Sequence, residues 1–175
     1  MQCRPGFFVM WYVYLIMKTA IKISLALALL VAYNSMFAQA PKLIDDHFRA
    51  LIAHDVKSIA AGYADDAQVI SPNWEGAKVG SAGITEVYNR YFSSTPDLVY
   101  KVVNVINAGE NVVVEYTSGG TLSNPEAGTP EYMKGKKYTL NYCAVFTIKN
   151  NKIIKESDYF DQVAFLKQVG FFDQK

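Results

Sequence analysis

Two residues in this sequence have a type and setting suited to proton transfer, Asp161 and His47. Asp161 closes the run Asp158-Tyr159-Phe160-Asp161, which reads as the tip of a last strand just before a short helix. A bent sheet would hold such a carboxyl inside a pocket, where desolvation raises its pKa and makes it a general acid/base. The same position suits a helix N-cap, and the two roles are compatible. His47 falls on an apolar stripe with Ile44, Phe48 and Leu51. Facing inward, it could pair with Asp161 or donate to a carbonyl; otherwise it is a buried, satisfied imidazole. Tyr63, Trp74, Tyr88, Tyr142 and Tyr159 could line a site for a flat apolar ligand, although aromatics on such stripes also build plain core. His54 sits where a helix ends and suits the dipole there.

Other chemistries find little to work with. The chain has two histidines and two cysteines, Cys3 and Cys143, without a cluster at metal-ligand spacing, so neither a metal nor a cofactor is expected. A phosphate-binding glycine motif is missing. Beyond residue 40 the chain carries 14 basic and 16 acidic residues, a balance that argues against nucleic acid as a partner. Cys143 stands alone in that part, so packing must hold the fold without a disulfide.

The elements that would position these residues begin after an address segment. From Met17 the chain reads as a signal peptide over 17–40. Lys18 and Lys22 come first, then an apolar run from Ile23 to Tyr33, then Ala38-Gln39-Ala40 as the cleavage pattern, with a cut after Ala38 as the alternative. Residues 1–16 are either an upstream extension of a chain that starts at Met17 or part of a longer anchor, although neither apolar half reaches the ~20 residues of a spanning helix. The expectation is a periplasmic or secreted domain over 41–175, in contact with membrane only if the segment is uncleaved.

Within that domain, periodicity predicts a helix over 42–54 and a second over 56–64 capped by Asp55. A short strand follows over 67–71, then a third helix capped by Ser81 with the stripe Ile84, Val87, Tyr88, Tyr91. Strands follow over 97–108, 112–122 and 136–149, then a last strand and a helix over 162–169 stopped by Gly170. Gly119-Gly120 suggests a bulge, and Asn150-Asn151 a tight hairpin. The order implies α+β, with helices on one face of a bent antiparallel sheet.

The segments 50–72 (ALIAHDVKSIAAGYADDAQVISP), 80–92 (GSAGITEVYNRYF) and 148–170 (IKNNKIIKESDYFDQVAFLKQVG) together resemble the nuclear transport factor 2-like superfamily, in its SnoaL-like and ketosteroid-isomerase-like branches. The resemblance implies a cone-shaped curved sheet, three N-terminal helices and a short C-terminal helix around a pocket for a small hydrophobic molecule. It also implies a homodimer through the outer sheet face, where Val99, Lys101, Val103 and Val105 lie. In the ketosteroid isomerases the base, the tyrosine and the protonated aspartic acid correspond here to Ser71, His47 and Ala144. All three differ, which argues against that activity. SnoaL-type cyclases use an Asp near the end of the last strand, and Asp161 corresponds to it; the His on the preceding strand has no counterpart. Two readings stand level: a cofactor-free isomerase, cyclase or dehydratase with Asp161 as acid/base, and a non-catalytic ligand-binding or interaction module.

Overall fold

Alternation of apolar side chains along three consecutive strands dictates the core of this protein. The computed structural model describes residues 42–173 together with Met17, Lys18, Lys22 and Ser24; the extension 1–16 and most of the segment 17–40 lie outside the described residues. Among the described residues, no helix is long and apolar enough to cross a membrane.

Residues 42–52 are helical (α1) and bury Ile44, His47, Phe48 and Leu51, the stripe that the spacing predicts. Asp45 and Arg49 stay on the opposite face as an ion pair at 2.7 Å. The chain then turns at His54, whose φ of 53° is left-handed. His54 is anchored rather than merely dipole-matched: its Nε2 lies 2.7 Å from the Leu98 carbonyl and its ring stacks on Phe92. Asp55 caps α2 (Val56–Ala61), accepting from the Ser58 amide at 3.0 Å.

α2 is shorter than its periodicity predicts. The run Tyr63–Ile70 forms strand β1 instead, and residues 64–66 belong to it rather than to a helix end. The short β2 (Lys78–Val79), not expected from sequence, pairs with β1. It leads directly into α3 (Gly80–Ser94), whose N-cap is Val79, not Ser81, with no side-chain cap. Gly80 makes that junction possible: its φ is 67°, and a Cβ there would lie 2.8 Å from the Asp65 carbonyl oxygen.

Strands β3 (Val99–Ala108), β4 (Asn111–Thr121), β5 (Lys137–Lys149) and β6 (Lys152–Phe160) follow, then α4 (Gln162–Gln168). They form one six-stranded curved sheet in the order β2-β1-β6-β5-β4-β3. Consecutive strands β3 to β6 are antiparallel, while β1 runs parallel to β6. The glycine pair does not make the expected bulge. Gly119 and Gly120 stay in register with β5, and the irregularities fall elsewhere: in β3 between Val102 and Asn104, in β1 between Tyr63 and Gln68, and in β5 between Thr147 and Ile148. Gly119 is there for close approach: a Cβ would come 2.2 Å from the Tyr138 carbonyl oxygen. The turn Asn150-Asn151 has both residues at positive φ, as a two-residue hairpin requires.

The register places the inward side chains of three strands in rungs. Tyr116, Tyr142 and Phe160 share one rung. Val114, Ala144 and Asp158 share the next, and Val112, Phe146 and Glu156 a third. Helices α1 and α3 pack their apolar stripes on this face, so Phe48, Ile84, Val87, Val112, Val114 and Phe146 belong to one buried core.

Candidate active-site cavity

The concave face of the sheet is not filled completely. A cavity of about 470 Å³ remains between β3–β6, α3, α4 and the loop after β4, within the range of small-molecule sites. Its floor is Glu156 and Asp158. Its walls include Tyr88, Tyr91, Tyr100, Tyr116, Tyr142 and Phe160. Tyr116 and Tyr142 stack at 4.9 Å, and Tyr142 meets Phe160 at 4.8 Å, because all three stand on one rung.

The two carboxyls sit side by side because β6 alternates. Glu156, Asp158 and Phe160 point inward, while Tyr159 points out and is 59% exposed. Glu156 is 3% exposed and Asp158 9%. Glu156 has two phenolic donors. Tyr63 donates to its Oε2, and Tyr88 lies 3.2 and 3.3 Å from the two oxygens. The Tyr63 and Tyr88 hydroxyls are themselves 3.2 Å apart. Burial raises the pKa of Glu156, and hydrogen bonds from Tyr63, Tyr88 and Asp158 oppose that rise. Asp158 is raised well above the usual carboxylate range, first by burial, then by the charge of Glu156 and the hydrogen bond to it. The two therefore titrate as a pair. Two raised carboxyls this close favour a state in which one proton is shared between them. Asp158 Oδ1 is buried without a hydrogen-bond partner, and so is Gln162 Oε1 at the cavity rim.

The other titratable groups facing the pair are held neutral. Burial raises Tyr63 on β1, Tyr88 and Tyr91 on α3, Tyr100 on β3, Tyr116 on β4 and Tyr142 on β5. Burial lowers His47 to about 3.

Asp161 lies outside the cavity lining. It is exposed, and its Oδ1 accepts from the Ala164 amide at 3.0 Å as the N-cap of α4. Being an odd number of residues from Asp158, it leaves the inward face as the strand ends. His47 is buried, not cavity-lining, and does not meet Asp161. Its ring stands edge-on to Phe48, Tyr63, Tyr88 and Phe146 at 5.4 to 6.1 Å, and neither nitrogen has a partner. Of the five aromatic candidates, Tyr88 and Tyr142 line the cavity, and Tyr63 reaches it through Glu156. Trp74 packs against Tyr91 and under the Arg90 guanidinium, outside the lining. Tyr159 is on the outer face. Among the described residues no group of three or more His, Cys, Asp or Glu side chains could hold a metal ion.

The sequence reading overlooked Glu156 and Asp158, although a signal for both was present. In Glu-Ser-Asp-Tyr-Phe, a period of two puts both acids in phase with Phe160 and the inward face of the strand.

A family model described as SnoaL-like domain matches residues 44–156. The chain belongs to the SnoaL-like domain family. A comparison with curated proteins returns no match. Solved structures share the fold of this SnoaL-like chain. A Jannaschia sp. CCS1 protein assigned to the SnoaL-like polyketide cyclases has a TM-score of 0.67 at 20% identity, covering 75% of this chain and 92% of its own. A hypothetical protein from Catenulispora acidiphila with a ketosteroid isomerase-like fold, in complex with trimethylamine, gives 0.63 at 16% identity, covering 74% and 93%. TerC, co-crystallised with polyporic acid, gives 0.62 at 23% identity, covering 75% and 98%. At these identities the likeness concerns the fold.

Proposed function

We propose that this SnoaL-like protein binds a small, largely apolar molecule in the cone cavity and moves a proton on it without a cofactor. Asp158 is the group that exchanges the proton, and Glu156 is the second carboxyl that sets its charge. The observation that carries this reading is the pair itself: two buried carboxyls on one strand face, both lining the cavity, with one oxygen of Asp158 left without a hydrogen-bond partner. Such a pair gives and takes a proton near neutral pH, as general acid–base catalysis requires. Tyr63 and Tyr88 stabilise the anionic partner by hydrogen bonding.

Isomerisation, cyclisation and dehydration all begin with removal or delivery of a proton beside a carbonyl. The direct test is deuterium exchange from heavy water into enolisable ketones, enones and polyketide-like aromatics, read by NMR. Wild type should exchange at least one such compound, and Asp158→Asn should slow that exchange by ~10² to 10⁴. Asp161→Asn should leave it within a few-fold. If Asp161→Asn stops exchange and Asp158→Asn does not, the role belongs to Asp161.

A second reading, ligand binding without turnover, draws on the positions of His47 and Ala144: the first is walled off from the cavity and the second brings no acid. Binding without exchange in any compound would establish it. The proposal includes export, on the pattern of residues 17–40, and a homodimer through the outer sheet face. Val99 and Ile106 are exposed there, and a dimer would remove them from water. The register shift between Val102 and Asn104 puts Val105 opposite Val114, on the inward side of the sheet rather than the outer one.

A further inference from the structure

The charge balance of the cavity is uneven. Among the described lining residues Arg90 is the one cation, and it is already engaged. It is bonded to Glu126 at the mouth and lies 5.8 Å above the Trp74 ring. On the floor, Glu156 and Asp158 have no cationic side chain beside them. The tyrosines and His47 around them are neutral, for the reasons of burial given above. Tyr63 and Tyr88 donate to Glu156 but bring no positive charge. A buried carboxylate without a counter-charge is costly. In the same place Asp158 Oδ1 is an acceptor without a donor, and Gln162 Oε1 is another at the rim. The surrounding walls are aromatic, and aromatic faces attract cations.

We propose that the cavity receives a protonated amine carried on an apolar body, with an ammonium N–H donated to Asp158 Oδ1 and its charge held between the carboxyl pair and the surrounding tyrosine rings. Each part of that ligand answers an observation. The positive charge balances the pair. The N–H supplies the missing donor. The apolar body fills the aromatic walls. An alcohol or phenol of the same shape supplies the donor and leaves the charge unbalanced. A carboxylate or phosphate adds further negative charge to the pair and is rejected.

This inference rests on the cavity as the ligand site, and it fixes the form in which the pair works. With one shared proton the pair carries a single negative charge, so the ammonium balances it and the proton stays between Asp158 and Glu156.

The test is titration calorimetry of the domain at pH 7 with benzylamine, benzyl alcohol and benzoate, repeated in buffers of different ionisation enthalpy. Benzylamine should bind at least ~10-fold more tightly than benzyl alcohol, a gap of ~1.4 kcal/mol, and benzoate more weakly than either. Benzylamine should bind as the ammonium, without net proton exchange with the buffer. Both results are read on the wild-type protein. Asp158→Asn, checked for a cooperative melt, should erase the gap. Equal or tighter binding of benzyl alcohol, or benzylamine binding with a full proton released to the buffer, overturns the inference. If benzyl alcohol binds and benzylamine does not, only the amine inference fails. If no probe binds, the cavity reading fails with it.

Discussion

Asp158 lies directly across the β5–β6 ladder from Ala144. The small side chain of Ala144, completely buried, lets a carboxyl and a ring of tyrosines share one face of the sheet. Opposed side chains on neighbouring strands are close neighbours. Ala144→Leu should therefore crowd Asp158 directly. The expected cost is ~1–3 kcal/mol in denaturant unfolding, together with at least ~10-fold weaker binding of any cavity ligand by calorimetry. Unchanged binding would place the ligand away from this rung.

The phenols that hold Glu156 should matter more as the pH rises. Tyr63→Phe and Tyr88→Phe each remove a donor from a buried carboxylate, a loss of ~1–3 kcal/mol. A donor matters most to the ionised form, so the loss should be larger at pH 8 than at pH 5. Urea unfolding at the two pH values reads this. Equal losses at both would mean that Glu156 does not change its protonation between these pH values.

Burial moves His47 and the carboxyl pair in opposite directions, with opposite consequences for stability. The pKa of His47 in the folded chain is lowered from 6.5 to about 3. Its contribution is therefore present above pH 6.5 and is lost as the pH falls toward 3. Glu156 and Asp158 are raised. Their contribution is present at the acid end and is lost as the pH rises past ordinary carboxylate values through the raised ones. Each group changes stability by at most ~1.4 kcal/mol per pH unit. The two trends cancel in part over mildly acidic pH, so the wild-type profile is flat there. His47→Leu should expose a stability that only falls with rising pH, and the double variant Glu156→Gln/Asp158→Asn one that falls on acidification. Thermal or urea unfolding from pH 4 to 8 measures both. Variant profiles parallel to wild type would show that neither group changes its protonation on folding.

Gly119→Ala should be among the most damaging small changes in the sheet. The added methyl would meet the Tyr138 carbonyl oxygen at 2.2 Å and push β4 from β5. A loss of ~3 kcal/mol or more is expected. Gly128→Ala, in open space with a φ of 89°, should cost ~1 kcal/mol from backbone strain alone. Denaturant midpoints of the two variants test the order.

Much of this architecture could be read from periodicity. The stripes of α1 and α3 and the alternation of β5 led to the right faces, and the asparagine pair to the right turn. What local pattern could not show is pairing. Residues 63–66 look like the end of a helix until β6 is available as a parallel partner. Lys78–Val79 is too short to signal a strand without β1 beside it. The cavity carboxyls were missed for a related reason. Asp161 drew notice as the residue before a helix, and it is that helix's cap. Glu156 and Asp158 lie in mid-strand, where charged residues suggest a solvated face. Only the register, which puts them on the rungs of Phe146 and Ala144, turns them inward.

The neighbours of β6 also constrain how the chain can be made. β6 lies between β1, from the first half of the domain, and β5, from the second. Until residues 152–160 are synthesised, β1 and β2 have no place in the sheet, and the first half cannot close on the second. Pairings over such sequence distances form late and slowly. A nascent chain would stay open until almost its last residues emerge. Once closed, it already holds Glu156 and Asp158 in place, because the strand that completes the fold is the strand that carries them.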